Sequence, residues 1–227
     1  MPRQSRIDAP GALHHIIIRG IERRVIFRDD EDRESFLDRL GGIFLESATP
    51  CYSWSLLDNH GHFLFRTGDD PIARVMRRVL TGYAVTFNRR HHRHGHLFQN
   101  RYKSILCEED GYLKELVRYI HLNPLRAGLV KNLVELGSYP YSGHSVLMGK
   151  MKRDWQNRNH VLRYFGTTER HAKHQYLSFV AEGAKGGRKP ELVGGGLLRS
   201  VGGWKRLKEL RGSGEKVRAD PNLFSVY

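Results

Sequence analysis

The sequence predicts an α+β fold in which an antiparallel sheet carries helices on its faces. Three observations predict it. Short runs rich in β-branched, aromatic and histidine residues recur at Leu13–Arg19, 52–57 and His60–Arg66. The last two flank Asp58-Asn59, a turn signal that makes them an antiparallel hairpin. Between and after these runs, apolar residues recur every three to four positions over longer segments, the spacing of helices with one buried face.

Taken in order, the first strand spans 13–19 and ends at Gly20, with a second short extended piece at 25–27. Asp29 and Asp30 are good N-caps for a helix over 31–47, on which Phe36, Leu37, Leu40, Phe44 and Leu45 share a stripe. Pro50 closes that region, and the hairpin follows. Pro71 suits the first turn of a second helix, whose apolar face is Ile72, Val75, Met76, Val79, Leu80 and Tyr83, with Arg74, Arg77 and Arg78 largely elsewhere. A basic tract follows, Arg89, Arg90, His91, His92, Arg93, His94 and His96; its histidine-rich part at 91–96 has no cysteine to complete a zinc site and reads as a solvated basic loop. Residues 97–106 read as a last hairpin or strand pair carrying Arg101 and Lys103. Asp110 can cap a further helix that buries Tyr112 or Leu113, Leu116, Val117 and Ile120, and Pro124 ends or kinks it at Asn123.

Beyond about residue 147 the texture changes. Ten of the 24 glycines fall between Gly183 and Gly214. The division expected is a main domain over 1–147 and a basic, mostly helical DNA-binding appendage over 148–227. The appendage would contain a linker at 185–189 and a helix bearing Leu197, Leu198, Val201, Trp204, Leu207 and Leu210.

Charge narrows the partners. Lys and Arg number 38 against 24 Asp and Glu, giving a formal net charge of +14 and a pI of about 10.0. A surface this cationic suits a polyanion, since each neutralised phosphate releases condensed counterions. Two cysteines, Cys51 and Cys107, in no metal-binding spacing indicate reduced thiols and a cytoplasmic, nucleoid-associated protein; Cys107 reads as a half-buried strand residue. Residues 1–12 have no apolar run suited to a signal peptide, and no stretch approaches the roughly 20 apolar residues of a membrane span.

Two pairs of residues carry chemistry. In His60-Gly61-His62, a strand would send both imidazoles to one face, ready to share a metal. In a chain with 13 histidines, that pattern is also what two surface histidines on a hairpin would give. Tyr119 and Asn123 are four apart and share a helix face. The phenol is a possible nucleophile and the amide oxygen a hard ligand; a packed aromatic with a capping Asn would look the same.

Four ordered stretches join these pairs: "GALHHIIIRGIERRVIFRDDEDRESFLDRL", "LLDNHGHFLF", "GHLFQNRYKS" and "YLKELVRYIHLNPLRAGLV". In these the chain resembles the single-tyrosine HUH transposases of the IS200-like family, most of all the branch associated with repetitive extragenic palindromes. The likeness covers roughly residues 10–145 and resumes in "ELVGGGLLRSVGGW". It implies a ferredoxin-like HUH nuclease core with His60 and His62 on a central strand and Tyr119 and Asn123 on a helix laid across it. It implies that His60, His62 and Asn123 hold Mg²⁺ or Mn²⁺. It implies that Tyr119 attacks single-stranded, hairpin-containing DNA and forms a 5′-phosphotyrosine. Closeness to the matched stretches makes Arg19, Arg101, Lys103, Arg118 and Arg126 the expected phosphate contacts. A monomer and a homodimer that swaps its tyrosine helix both stay open. One departure is Gly61: the family prefers a bulky apolar residue there, packed beneath a helix, and glycine is expected to loosen the strand.

Overall fold

The computed structural model describes residues 10–107 and 109–185, the side chains of 109–112 excepted. In chain order it forms β1 (Leu13–Arg19), α1 (Asp30–Glu46), β2 (Cys51–Leu57), β3 (His60–Arg66), α2 (Ile72–Arg90), β4 (Lys103–Cys107) and α3 (Glu109–His121). Five further helices follow: α4 (Asn123–Arg126), α5 (Leu133–Ser138), α6 (Gly143–Leu147), α7 (Arg158–Arg163) and α8 (Glu169–Lys185). The four strands make one sheet in the order β2-β3-β1-β4, antiparallel throughout. That is the expected ferredoxin-like arrangement, with β3 and β1 at its centre.

Both faces of the sheet are buried, so its strands lack a solvated side. On one face Ile16, Ile18, Trp54, Leu56, Phe63 and Phe65 pack in one cluster with Phe36, Leu37 and Leu40 of α1 and Val75, Met76, Val79 and Tyr83 of α2. On the other, Leu13, Ile17, Leu64, Ile105 and Cys107 pack with Leu113, Leu116, Val117 and Ile120 of α3. Burying each such side chain is worth about 1.5–3 kcal/mol, which fixes α3 across the sheet. Val161, Leu162, Ala172, Tyr176 and Val180 join this second cluster, so α7 and α8 are packed on the core. The expected linker at 186–189 and the helix over 197–210 lie outside the described residues.

Local chemistry sets the ends of the helices. The Asp29 side chain caps α1 by accepting from the Asp32 amide at 3.0 Å. Arg90, at the end of α2, pairs with Asp29, Glu31 and Asp32 at the start of α1, where the helix dipoles favour each charge. His91 reaches the same Asp32 carboxylate at 2.9 Å. The histidine-rich tract at 91–96, expected as a solvated basic loop, therefore opens with a histidine anchored on a buried carboxylate. The piece at 25–27 forms no strand, because the Ile26 and Phe27 amides both donate to the single carbonyl of Asp58. Nor do residues 97–106 form a hairpin: β4 pairs with β1, and Phe98 makes only an isolated bridge to Gly20. Proline ends α3 as anticipated; Leu122 intervenes, and α4 continues from Asn123.

Candidate active site

The pleat of β3 sends His60, His62 and Leu64 toward α3, and Gly61, Phe63 and Phe65 toward α1 and α2. On β1, Arg19 lies opposite His60 and Ile17 opposite His62. The His60 and His62 ring centroids are 5.2 Å apart. Tyr119 comes down from α3 with its ring 5.9 Å from that of His62 and nearly perpendicular to it, at 81°. His62 and Tyr119, one from each residue pair found in the sequence, thus meet on one face although 57 positions apart in the chain, whereas Asn123 falls on the separate helix α4 beyond the break at Leu122. Asn123, the first residue of α4, is buried, and its amide nitrogen has no hydrogen-bond partner among the described residues.

Each histidine is held through its Nδ1. His60 Nδ1 lies 2.6 Å from Asn59 Oδ1, and His62 Nδ1 lies 3.0 Å from Nε2 of His15. Burial and then the charge of Arg19 lower His60 to about 4, with Asp58 opposing. Burial, followed by His15, His60 and Arg19, holds His62 well below the usual imidazole range. Both rings are therefore neutral at pH 7, which is the state in which imidazole binds a metal. Two neutral imidazoles on one face, each engaged at Nδ1, fit a small divalent cation; Asn123, whose amide oxygen would be the third ligand, is buried at the start of α4. No group of three or more His, Cys, Asp or Glu among the described residues is arranged to hold one.

The five candidate phosphate contacts divide. Arg19 ends β1 beside His60, and Lys103 opens β4 opposite Ile17 on the same face. Desolvation against the sheet and the charge of Arg19 lower the Lys103 amine. Arg101 is exposed just before β4. Arg118 is engaged internally: it pairs with Glu115 at 2.6 Å, donates to the Phe179 carbonyl at 3.1 Å and lies 3.9 Å over the Phe179 ring. Arg126 donates to the Gly183 carbonyl at 3.4 Å and sits 5.5 Å over the Tyr119 ring.

Gly61 proves well filled. A Cβ there would lie 3.0 Å from Phe63 Cζ and 3.3 Å from Ile18 Cγ1. The Phe63 ring, wholly buried and packed 5.8 Å from Phe36, occupies the space a bulky neighbour would need. His15 and Asn59 are the site residues not singled out from the sequence. Of the adjacent His14 and His15, strand alternation lets only one share a face with the hairpin histidines, and that was the available signal.

The comparisons with known proteins bear on this site. The family model "Transposase IS200 like" matches residues 10–123, half of the 227 residues. The chain belongs to the IS200-like transposases. The matched region takes in both histidines, Tyr119 and Asn123. Among solved structures, this transposase is similar to a REP-associated tyrosine transposase bound to a REP hairpin, at 19% identity and a TM-score of 0.52. That match covers 69% of this transposase and 92% of the other chain, and it shows the shared α+β fold. No curated protein matches it.

Proposed function

We propose that this transposase cuts and rejoins single-stranded DNA at hairpin-containing sites such as repetitive extragenic palindromes, with Tyr119 as nucleophile. The observation that carries the reading is the Tyr119 ring standing over His62 on the sheet face that also holds His60, Arg19 and Lys103. The phenol oxygen attacks the scissile phosphorus, the DNA 3′-oxygen leaves, and a 5′-phosphotyrosine forms. That ester keeps the bond energy, so a later 3′-hydroxyl reverses the step without ATP. His60 and His62 through Nε2, and Asn123 through its amide oxygen, would hold Mg²⁺ or Mn²⁺. When bound, the cation neutralises charge on the non-bridging phosphate oxygens. Arg19, Arg101 and Lys103 are assigned to phosphate. Arg118 and Arg126, expected in the same role, also donate to the Phe179 and Gly183 carbonyls of α8. Family, charge and the likeness to a hairpin-bound relative support this reading, and with it a place on the nucleoid.

The test is denaturing-gel cleavage of single-stranded hairpin DNA with Mg²⁺ or Mn²⁺. A covalent protein–DNA adduct is expected, absent in Tyr119→Phe and with EDTA. Binding to the hairpins without an adduct would overturn the catalytic reading.

A further inference from the structure

We infer that Asn59 and His15 are positioning residues that set which ring nitrogen of His60 and of His62 is left bare. The inference rests on the metal role proposed above for the two histidines. Its logic begins at Asn59. The side-chain amide nitrogen donates to the carbonyl of Arg23 at 2.9 Å. A carbonyl cannot donate, so this bond fixes the amide one way round. The other end, Oδ1, then faces His60 Nδ1 at 2.6 Å, and an amide oxygen only accepts. His60 therefore carries its proton on Nδ1 and a lone pair on Nε2.

The Arg23 carbonyl is presented by an unusual turn. Glu22 and Arg23 stand at φ of 53° and 59°, a left-handed conformation that residues with side chains seldom adopt. The turn is closed by the Arg23 amide on the Gly20 carbonyl at 3.1 Å, and the Gly20 amide donates to the Asn59 carbonyl at 2.9 Å. One turn after β1 thus grips Asn59 by backbone and side chain together.

His62 is treated differently and reaches the same state. It and His15 are both buried, and His15 Nε2 lies 3.0 Å from His62 Nδ1. His15 is placed by the β1–β3 register, opposite Leu64 and diagonal to His62. One hydrogen lies between the two ring nitrogens in this contact. If His15 donated, the proton of His62 would sit on Nε2 and close that atom to a cation. If His62 donates, Nε2 is bare. The arrangement consistent with a ligand is His62 Nδ1–H donating to His15 Nε2. A metal-bound imidazole held by an acceptor on its other nitrogen is a common device, and such partners typically change metal affinity by about 10–100-fold. Here the acceptors are a side-chain amide and a second imidazole, not carboxylates, so the site gains no negative charge from them.

The test uses the full-length, metal-free protein with ¹⁵N-labelled histidine and long-range ¹H–¹⁵N correlation. Signals are assigned by loss in His60→Asn and in His62→Asn. Both rings are expected as Nδ1–H tautomers; His62 found with its proton on Nε2 overturns the inference. Next, His15→Phe keeps a ring but removes the acceptor, and His15→Gln restores an amide oxygen. The Phe variant should shift His62 toward the Nε2–H form and weaken Mn²⁺ binding, read by electron paramagnetic resonance, by about 10–100-fold. The Gln variant should recover most of both. Asn59→Leu and Asn59→Asp should behave likewise toward His60. Unchanged tautomers and affinity in both His15→Phe and Asn59→Leu would reduce the two residues to packing. If a variant does not fold, the wild-type tautomers decide alone. A wild type that binds no Mn²⁺ defeats the metal reading, while the tautomer spectrum still decides this one.

Discussion

At the scale of single residues, Gly61 and Phe63 behave as one packing unit. The glycine leaves room into which the Phe63 ring leans, and any Cβ at 61 meets that ring at 3.0 Å. Gly61→Val is therefore expected to destabilise the protein by about 1–3 kcal/mol, the usual cost of overpacking. The loss in thermal unfolding should shrink in a Phe63→Leu background, because the two positions compete for one volume. A second residue-scale expectation concerns the buried cluster of His121, His144 and Tyr176. The Tyr176 hydroxyl lies 2.8 Å from His121 Nδ1 and 2.5 Å from His144 Nδ1. Burial holds His144 at about 4, against 6.5 in a free chain. Between those values the unfolded chain binds a proton that the folded one does not. The stability present above pH 6.5 is thus lost as pH falls toward 4, by about 3 kcal/mol from this group. Urea unfolding at pH 7 and pH 4.5 should show the loss, and His144→Gln should flatten it.

At the scale of elements, α8 is held to the tyrosine helix by core packing and by identifiable polar contacts. Arg118, steadied by Glu115 on its own helix, supplies a carbonyl hydrogen bond and a cation over the Phe179 ring of α8. Arg118→Ala should cost about 1–3 kcal/mol, and it should do so locally. Amide exchange in α8 should quicken while α1 stays protected. The same arginine marks where sequence reading stops. Arg118 sits beside Tyr119 in a chain of charge +14, so a phosphate contact was the natural expectation. Its partner Phe179 is 61 positions away in the chain, and no local spacing encodes it. What was legible was local and periodic. The 60–66 strand, the apolar face of α2 and the proline break after α3 follow from alternation, helical spacing and a missing amide hydrogen. The pairing of β4 with β1, the anchoring of His91 on Asp32 and the contact of His15 with His62 are long-range choices made by packing. Of the proposed site, His60, His62 and Tyr119 were candidates in the sequence; their contacts with His15 and Asn59 were not legible, because such a neighbour is defined by what it touches and not by its own type.

At the scale of the whole molecule, the positive charge is unevenly committed. Arg90, Arg118 and Arg153 are taken up by ion pairs with Asp29, Glu115 and Glu34. Arg101 lies exposed just before β4, and Lys103 opens that strand opposite Ile17. Reversing both charges, Arg101→Glu with Lys103→Glu, should weaken binding to single-stranded DNA. It should also flatten the slope of log affinity against log salt by roughly 1.4, about 0.7 for each phosphate that is no longer neutralised. Fluorescence anisotropy across a salt series measures it, and an unchanged slope would remove both residues from the interface.

The 5.9 Å between the Tyr119 and His62 rings lies within a single chain. Under the proposed chemistry, a chain that attacks with its own Tyr119 cleaves at first order in protein, and one that borrows the tyrosine helix of a second copy does not. The kinetic order of adduct formation across a dilution series therefore separates a monomer from a helix-swapped homodimer.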